Sequence, residues 1–143
     1  MKIISIIGYS NSGKTTLISK LMPILSKKYK AGTVKDMGHH VFELQNGKDT
    51  TIHFQSGADC SCGIDAEKSI LTMRGTDLFK VLDLYDFMGY DYTVVEGFKQ
   101  MGYPCAALGD IESDNAILKN PTAEEVYEYR DKFSDYKPNL KHV

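Results

Sequence analysis

The segment from residue 8 to residue 15, Gly-Tyr-Ser-Asn-Ser-Gly-Lys-Thr, constrains the fold of this chain more than any other feature. It matches the phosphate-loop pattern G-x-x-x-x-G-K-[ST]. The apolar run 3–7 precedes it and predicts a buried strand, and a helical pattern follows from Lys14. Such a strand–loop–helix unit points backbone N–H groups into one concavity, beside the positive end of a helix dipole. The segment therefore predicts a site for a nucleoside triphosphate, and the alternative is a Gly/Ser turn before a helix.

The residue types of this loop suit phosphate together with Mg²⁺. Glycine at Gly8 and Gly13 leaves room for a tight turn and for the close approach of phosphate. Lys14 can reach the β- and γ-phosphates, and the Thr15 hydroxyl can ligate Mg²⁺. We predict nucleotide contacts from Gly8, Ser10, Asn11, Ser12, Gly13, Lys14, Thr15 and Thr16.

Length and composition are those of one globular domain. The chain has 143 residues, of which 42% are hydrophobic and 25% charged, and its formal net charge is −2. This balance gives no reason to expect nucleic acid or an anionic membrane as a partner. The apolar runs are shorter than the ~20 residues of a membrane span, and the N-terminus lacks a signal-peptide pattern. We therefore expect a single cytoplasmic domain over 1–143, with a polar, frayed tail over 134–143.

Hydrophobic periodicity predicts strands that alternate with helices along the chain. The first helix is expected over 14–29 with a kink at Pro23, and a strand parallel to the first follows over 30–34. Residues 37–48 favour a loop or a short hairpin. The other predicted elements are a helix over 50–56 capped by Asp49, strands over 58–64 and 69–73, a helix over 78–88 capped by Thr76 and Asp77, strands over 92–95, 105–108 and 116–118, and a helix over 123–132. This order predicts a three-layer α/β fold with a mostly parallel sheet and a short hairpin insertion.

Acidic side chains follow two of the predicted parallel strands. Asp36 comes after the second strand, and Glu96 follows the strand over 92–95. Ligands of open α/β sheets bind beyond the carboxyl ends of the strands, and a carboxylate there can meet the water shell of Mg²⁺. We predict a Mg²⁺ site from Thr15, Asp36 and Glu96, with Asp36 or Glu96 as the catalytic group that orients an attacking water. The alternative for Glu96 is a surface residue at the end of a strand.

Five short segments occur together in one order along the chain. They are G-Y-S-N-S-G-K-T-T-L at 8–17, V-K-D-M-G-H-H-V-F-E at 34–43, G-K-D-T at 47–50, S-G-A-D at 56–59 and V-V-E-G-F-K at 94–99. They resemble the MobB family, the adaptor proteins of molybdopterin-guanine dinucleotide biosynthesis. The resemblance spans most of residues 1–99 and implies a homodimer that binds GTP with Mg²⁺ and hydrolyses it slowly at most. The implied partner is a molybdopterin nucleotidyltransferase or a molybdoenzyme maturation factor.

The resemblance also applies at individual positions, where His39, His40, Asp49 and Glu96 match the pattern of the family. Through this match Asp49 joins Thr15, Asp36 and Glu96 as a predicted Mg²⁺ ligand. The chain differs at Asp36, because it has Val-Lys-Asp where the family generally has Val-Lys-His. An Asp at this place resembles the Mg²⁺- or water-orienting Asp of related P-loop enzymes. This difference leaves open another partner or a more active nucleotide site.

The identity of the base is assigned only by the resemblance. The sequence contains no N-K-x-D or T-K-x-D signature, so its own residues do not decide between GTP and ATP. Asp110 follows the predicted strand over 105–108 and could accept hydrogen bonds from N1–H and N2–H of guanine.

Three side chains near the predicted site are candidates for contacts with a ligand or partner. His39 and His40 are adjacent and would point to opposite faces of a strand, which argues against a joint metal site. One of them contacts phosphate or a pterin ligand, or else one lies in the core and the other at the surface. Lys99 contacts the ligand or is a solvated loop residue.

Two other functions remain open at this point. One is a small-molecule kinase or ligase of the dethiobiotin-synthetase type, in which residues 37–49 hold the acceptor. The other is a GTP-dependent metallochaperone that uses the two adjacent histidines with Cys60 and Cys62. These two thiols would lie on one side of a strand, but with His53 they are too few for a closed zinc site. Small buried side chains in reduced form are the alternative interpretation for both cysteines.

Overall fold

The computed structural model describes residues 1–75 and 77–138 of the chain. In chain order the elements are β1 (Lys2–Gly8), α1 (Lys14–Leu25), β2 (Ala31–Lys35), α2 (Asp49–Gln55), β3 (Cys60–Ile64), β4 (Ser69–Met73), α3 (Leu78–Phe87), β5 (Tyr92–Glu96), β6 (Cys105–Leu108), β7 (Ala116–Lys119), α4 (Ala123–Glu128) and β8 (Ser134–Asp135). Short 3₁₀ turns cover Lys99–Met101 and Arg130–Lys132. The chain divides into two compact units. The first unit is formed by Met1–Asp36 and the chain from Leu78 onward, and the second by Met37–Asp77.

The first unit contains a sheet in the order β2-β5-β1-β6-β7, in which these five strands are parallel. The predicted parallel second strand is therefore confirmed, and its neighbour in the sheet is β5. Lys35 of β2 lies in register with Glu96 of β5, and Glu96 lies in register with Ile6 of β1. Because parallel strands end at the same edge, the phosphate loop after β1 and these two charged residues share that edge.

Helices cover both faces of this sheet. Side chains of α1 and α4 join apolar residues of β1 and β5 on one face in a cluster that includes Ile4, Ile6, Leu17, Leu21, Leu25, Val94 and Val126. On the other face, Leu78 and Leu82 of α3 pack against Ile3 and Val95. The neighbours Ile3 and Ile4 enter different clusters because successive strand residues point to opposite faces. The predicted three-layer α/β fold with a mostly parallel sheet is confirmed.

Helix ends differ from the predictions at several points. Pro23 lies within α1, which ends at Leu25 and not at residue 29. The predicted cap at Asp49 is wrong, because Lys48 occupies the cap position and Asp49 begins the helix. A carboxylate in the first turn still suits the helix dipole there. The predicted cap at Thr76 lies outside the described residues.

The second unit consists of a helix and a hairpin. β3 and β4 pair antiparallel, from Cys60 opposite Met73 to Ile64 opposite Ser69, as the predicted hairpin insertion requires. The Ser61 hydroxyl donates to the Thr50 carbonyl of α2 over 2.9 Å and attaches the hairpin to that helix. The preceding residues 37–48 form turns and not a further hairpin.

The chain after Phe133 is more ordered than a frayed tail. Ser134 and Asp135 pair antiparallel with Ile3 and Lys2 of β1. This edge of β1 is open to them because its pairing with β6 begins only at Ser5. Residues 139–143 of the predicted tail lie outside the described residues. None of the described helices combines the length and the apolar character that are needed to cross a bilayer.

Candidate nucleotide-binding site

The phosphate loop connects the end of β1 to the start of α1. Gly13 stands at the cap position of α1 with φ of 92°, and Asn11 also has a positive φ, 61°. These left-handed residues turn the chain sharply enough for α1 to begin directly at Lys14. Leu17 N donates to Gly13 O over 2.9 Å and closes the first helical turn. The remaining N–H groups at the start of α1 have no partner within the helix and can bind an anion.

Gly8 must be a glycine for steric reasons. A Cβ at this position would overlap the Ser12 hydroxyl and would lie 2.9 Å from the backbone oxygen of Leu108. The backbone oxygen belongs to buried β6 and cannot move aside. The Ser12 hydroxyl is itself buried and has no hydrogen-bond partner among the described residues. The loop therefore packs closely against the end of β6. The Ser12 hydroxyl is a polar group within this loop for which a polar ligand would supply a partner.

The Lys14 side chain folds back over the loop. Its ammonium donates to the carbonyl oxygens of Gly8 and Tyr9, at 2.9 and 2.7 Å. This position keeps the positive charge at the concavity where phosphate would bind. Lys99 stands nearby, with its ammonium 5.7 Å from the centre of the Tyr9 ring, which is a cation–π contact.

Glu96 brings a carboxylate to the start of α1. Its two carboxylate oxygens lie 3.4 and 3.5 Å from the Thr15 hydroxyl, which donates to them. The Lys35 ammonium lies 3.3 Å from Oε1 of the same carboxylate. Glu96 is only 8% exposed, although its side chain ends in a polar carboxyl group. The predicted pair of Thr15 and Glu96 is thus brought together, while the role of Lys35 is missed by the sequence analysis.

Asp36 follows β2 at the same edge of the sheet. Its backbone N–H donates to the carbonyl of Glu96 over 2.9 Å and extends the pairing of β2 with β5 by one residue. Gly97 has φ of 89°, and a Cβ there would lie 2.8 Å from Cβ of Asp36. The two backbones therefore approach closely, and Asp36 is exposed beside the end of β5.

The oxygen donors at this edge fit Mg²⁺. A hydroxyl and carboxylates are hard ligands of the kind that Mg²⁺ prefers, and an exposed edge allows the ion to keep several waters. Thr15 and Glu96 are in contact, with Asp36 on the adjoining strand end. Asp49, the fourth predicted ligand, begins α2 in the second unit, and its part in the site stays a prediction.

Asp110 lies on a turn that packs against the phosphate loop. A Cβ on the preceding residue, Gly109, would lie 3.4 Å from Cβ of Ser12. The Gly109 N–H donates to the side-chain oxygen of Asn120 over 2.6 Å and connects this turn with the end of β7. Asp110 is exposed. Its predicted contact with guanine stays a prediction.

The candidates of the second unit are all at its surface. His39 and His40 lie in the turns after β2 and are exposed. Cys60 and Cys62 occupy alternate positions of β3, as expected for thiols on one side of a strand, but both are exposed and not buried. Over residues 1–75 and 77–138, no three His, Cys, Asp or Glu side chains gather as a metal-holding group.

The fold and the loop together define a class of protein. A phosphate loop follows the central strand of a mostly parallel sheet, helices cover both faces, and acidic residues stand at the ends of neighbouring strands. This is the arrangement of α/β proteins with the P-loop NTPase fold. A family model described as "Molybdopterin guanine dinucleotide synthesis protein B", MobB, matches residues 3–123. The chain belongs to the MobB family, as the sequence resemblance predicts.

Individual relatives agree with this assignment. A probable molybdopterin-guanine dinucleotide biosynthesis adapter protein of Bacillus subtilis is 36% identical over 121 residues, which are 82% of this chain and 70% of the relative. A putative adapter protein of the same biosynthesis from Methanocaldococcus jannaschii is 25% identical over 139 residues, and the match covers 94% of this chain but 58% of that relative. The crystal structure of Bacillus subtilis MobB superposes with a TM-score of 0.66 at 31% identity, over 85% of this chain and 76% of the other.

Proposed function

We propose that this protein binds GTP with Mg²⁺ at the phosphate loop and acts as an accessory protein in molybdopterin-guanine dinucleotide biosynthesis in the cytoplasm. The observation that carries this proposal is the contact of the Thr15 hydroxyl with the buried Glu96 carboxylate at the start of α1. This contact supports the proposal, because a hydroxyl and a carboxylate, the groups that Mg²⁺ prefers, lie next to the free N–H groups at the start of α1. Membership of the MobB family supports the biosynthetic role.

Each side chain of the loop has a distinct part in binding. Lys14 neutralises phosphate charge, and its present contacts to two loop carbonyls show that its ammonium already reaches across the loop. Thr15 and Glu96 would hold Mg²⁺, which supplies charge for the β- and γ-phosphate oxygens when it is bound. Asp36 or Glu96 orients a water molecule from the same edge. Hydrolysis is slow at most in this proposal, so the nucleotide acts mainly as a bound signal for the partner.

The base in this proposal is guanine. Asp110 is exposed on a turn that packs against the loop, and its carboxylate can accept from N1–H and N2–H, which adenine does not offer. The names of the relatives refer to a guanine dinucleotide. Competition of GTP and ATP for the purified protein measures this preference, and Asp110→Asn is expected to reduce it.

The partner in this proposal is a molybdopterin nucleotidyltransferase or a molybdoenzyme maturation factor, and the protein acts as a homodimer. The relatives carry the name adapter protein, which supports a role in contact with an enzyme of this biosynthesis. The contact predicted from the sequence for His39 or His40 with phosphate or a pterin, and that of Asp49 with Mg²⁺, stay predictions. A pull-down from a cell that makes the cofactor is expected to recover the transferase, and recovery of none counts against the adapter role.

Calorimetric titration of GTP with Mg²⁺ into the Lys14→Ala variant tests the central claim. We expect affinity to fall roughly 10- to 100-fold, because a charge-assisted hydrogen bond contributes about 1.5–3 kcal/mol. Lys20→Ala is the matched control, since Lys20 is exposed on the same helix and outside the loop. Equal affinities of Lys14→Ala and the unmodified protein would refute nucleotide binding at this loop.

A further inference from the structure

Lys35 and Thr15 approach the same buried carboxylate from different elements. The Lys35 ammonium lies 3.3 Å from Oε1 of Glu96, and the Thr15 hydroxyl lies 3.4 Å from that oxygen. We propose that Lys35 is the countercation of Glu96 while no nucleotide is bound, and that it moves to the nucleotide phosphates when Mg²⁺ takes its place. The proposal rests on the proposed function, since it concerns the order in which metal and nucleotide bind that site.

Strand register fixes the pairing of the two charges. β2 and β5 are parallel neighbours, and Lys35 stands directly opposite Glu96 as the last residue of β2. Cross-strand neighbours in register point to the same face, so the long lysine side chain reaches the carboxylate without any rearrangement of the backbone. The pairing of Lys35 with Glu96 therefore follows from the register of β2 and β5 and does not depend on the conformation of a loop.

The two partners differ in how freely they can move. The Glu96 side chain is 10% exposed, whereas the Lys35 side chain is 50% exposed. The carboxylate is thus held in place by the packed sheet, and the lysine is the partner that can leave. A carboxylate buried to this extent needs a compensating charge, because an unpaired buried charge is strongly unfavourable. Lys35 supplies that charge as long as no metal does.

Mg²⁺ and the ammonium compete for one position. Both cations would depend on the Glu96 carboxylate, so Mg²⁺ bound there without nucleotide would be repelled by the Lys35 ammonium unless that side chain moved away. A bound triphosphate changes this balance, because its oxygens offer the ammonium a new anionic partner at the same edge. Lys35 therefore makes the affinity for metal depend on nucleotide, and by reciprocity the affinity for nucleotide depends on metal.

Two titrations test the two parts of the proposal, which are the competition of Lys35 with metal for Glu96 and the move of Lys35 to the phosphates. Mn²⁺, a spectroscopic substitute for Mg²⁺, is titrated into nucleotide-free protein and followed by electron paramagnetic resonance. GTP is titrated separately in the presence of a chelator and followed by calorimetry. For Lys35→Met we expect Mn²⁺ to bind about fivefold more tightly and metal-free GTP to bind about fivefold more weakly, the size of one partly exposed ion pair.

Control variants separate this effect from a general change of charge. Lys20→Met removes an exposed lysine of α1 and is expected to change neither titration. Lys35→Arg keeps the charge and is expected to bind Mn²⁺ like the unmodified protein. If Lys35→Met does not fold, as judged by circular dichroism, Lys35→Gln is titrated in its place.

The outcomes distinguish this proposal from the function on which it rests. Unchanged Mn²⁺ affinity on neutralising Lys35 overturns the proposal, whether or not GTP binds. Tighter Mn²⁺ binding with unchanged metal-free GTP affinity overturns the transfer of Lys35 to phosphate. If the unmodified protein binds no GTP under any condition, the proposed function fails, while the Mn²⁺ titration still decides whether Lys35 and the metal compete for Glu96.

Discussion

Glu96 belongs both to the buried sheet and to the candidate nucleotide-binding site. It ends a strand in which all five residues are buried, yet it carries a carboxylate. Two polar neighbours, the Thr15 hydroxyl and the Lys35 ammonium, accompany that carboxylate. Its backbone carbonyl also accepts from the N–H of Asp36, so the residue is fixed by main chain and side chain together. A site built on such a residue is positioned by the packing of the sheet.

Gly8→Ala tests how tightly the loop is packed. The added methyl group would overlap the Ser12 hydroxyl and press against the Leu108 carbonyl, so we expect the free energy of unfolding to fall by about 1–3 kcal/mol. We expect weaker binding of GTP as well, because the loop has to shift. Urea denaturation gives the first quantity, and calorimetry gives the second.

Gly63→Ala is the matched control for this substitution. Among residues 1–75 and 77–138, a Cβ at Gly63 would meet only the Thr50 methyl group, at 3.3 Å, and a side chain of that kind can adjust. We therefore expect a smaller loss of stability than for Gly8→Ala. Equal losses in the two variants would contradict the steric account of Gly8.

At the scale of single elements, α4 begins with a complete capping box. The Thr122 hydroxyl accepts from the Glu125 N–H at 3.2 Å, and the Glu125 carboxylate accepts from the Thr122 N–H at 2.7 Å. Together they satisfy two donors at the start of a helix of only six residues, whose Val126 is fully buried against α1 and the sheet. So short a helix depends on its cap and its packing.

Thr122→Ala is expected to lower the free energy of unfolding by about 1 kcal/mol, because it removes the side-chain acceptor of the cap. Thr122→Ser keeps that acceptor and is expected to lose much less. Denaturant unfolding of the two variants compares them directly. A serine variant as unstable as the alanine variant would assign the effect to the lost methyl group and contradict the role of the cap.

At the scale of the whole molecule, two buried tyrosines connect distant parts of the chain. The Tyr92 hydroxyl of β5 donates to Asp131, and the Tyr136 hydroxyl after β8 donates to Asp83 of α3. Burial, with the neighbouring Asp131, raises the pKa of Tyr92 to about 12. Burial, with the neighbouring Asp83, raises the pKa of Tyr136 as well. Both side chains are therefore neutral donors in the folded protein.

These shifts predict a loss of stability at alkaline pH. An unfolded tyrosine ionises near pH 10, while the folded pKa of Tyr92 is about 12. The unfolded state then binds fewer protons between these values, so the stabilising contribution is complete below about pH 10 and declines as the pH rises toward 12. We expect urea midpoints to fall over this range, and to fall less in the double variant Tyr92→Phe, Tyr136→Phe.

Tyr129→Phe provides the comparison for this pH dependence. Tyr129 is 47% exposed, so we expect its removal to leave the alkaline slope unchanged. The double variant is also expected to be less stable at neutral pH, since it loses two hydrogen bonds. If its slope equalled that of the unmodified protein, other groups would account for the alkaline transition.

Much of the architecture follows from local patterns in the sequence. The phosphate loop, the hairpin of β3 and β4, and the buried strands β1, β5 and β6 lie where the patterns predict them, because the spacing of apolar residues reports local geometry directly. The predictions fail where a distant partner decides. β8 is a strand because β1 has an open edge beside β6, and no property of Ser134 and Asp135 alone indicates it.

The candidate site likewise has a part that local sequence predicts and a part that distant contacts decide. The sequence by itself determined where the candidate site lies, because Gly8, Gly13, Lys14 and Thr15 match the phosphate-loop pattern between a predicted strand and a predicted helix. Only the tertiary structure decided that Glu96 contacts Thr15 and that Lys35 stands opposite Glu96. The reason is physical: these contacts join residues more than 60 positions apart, and they exist only because β5 lies between β1 and β2 in the folded sheet.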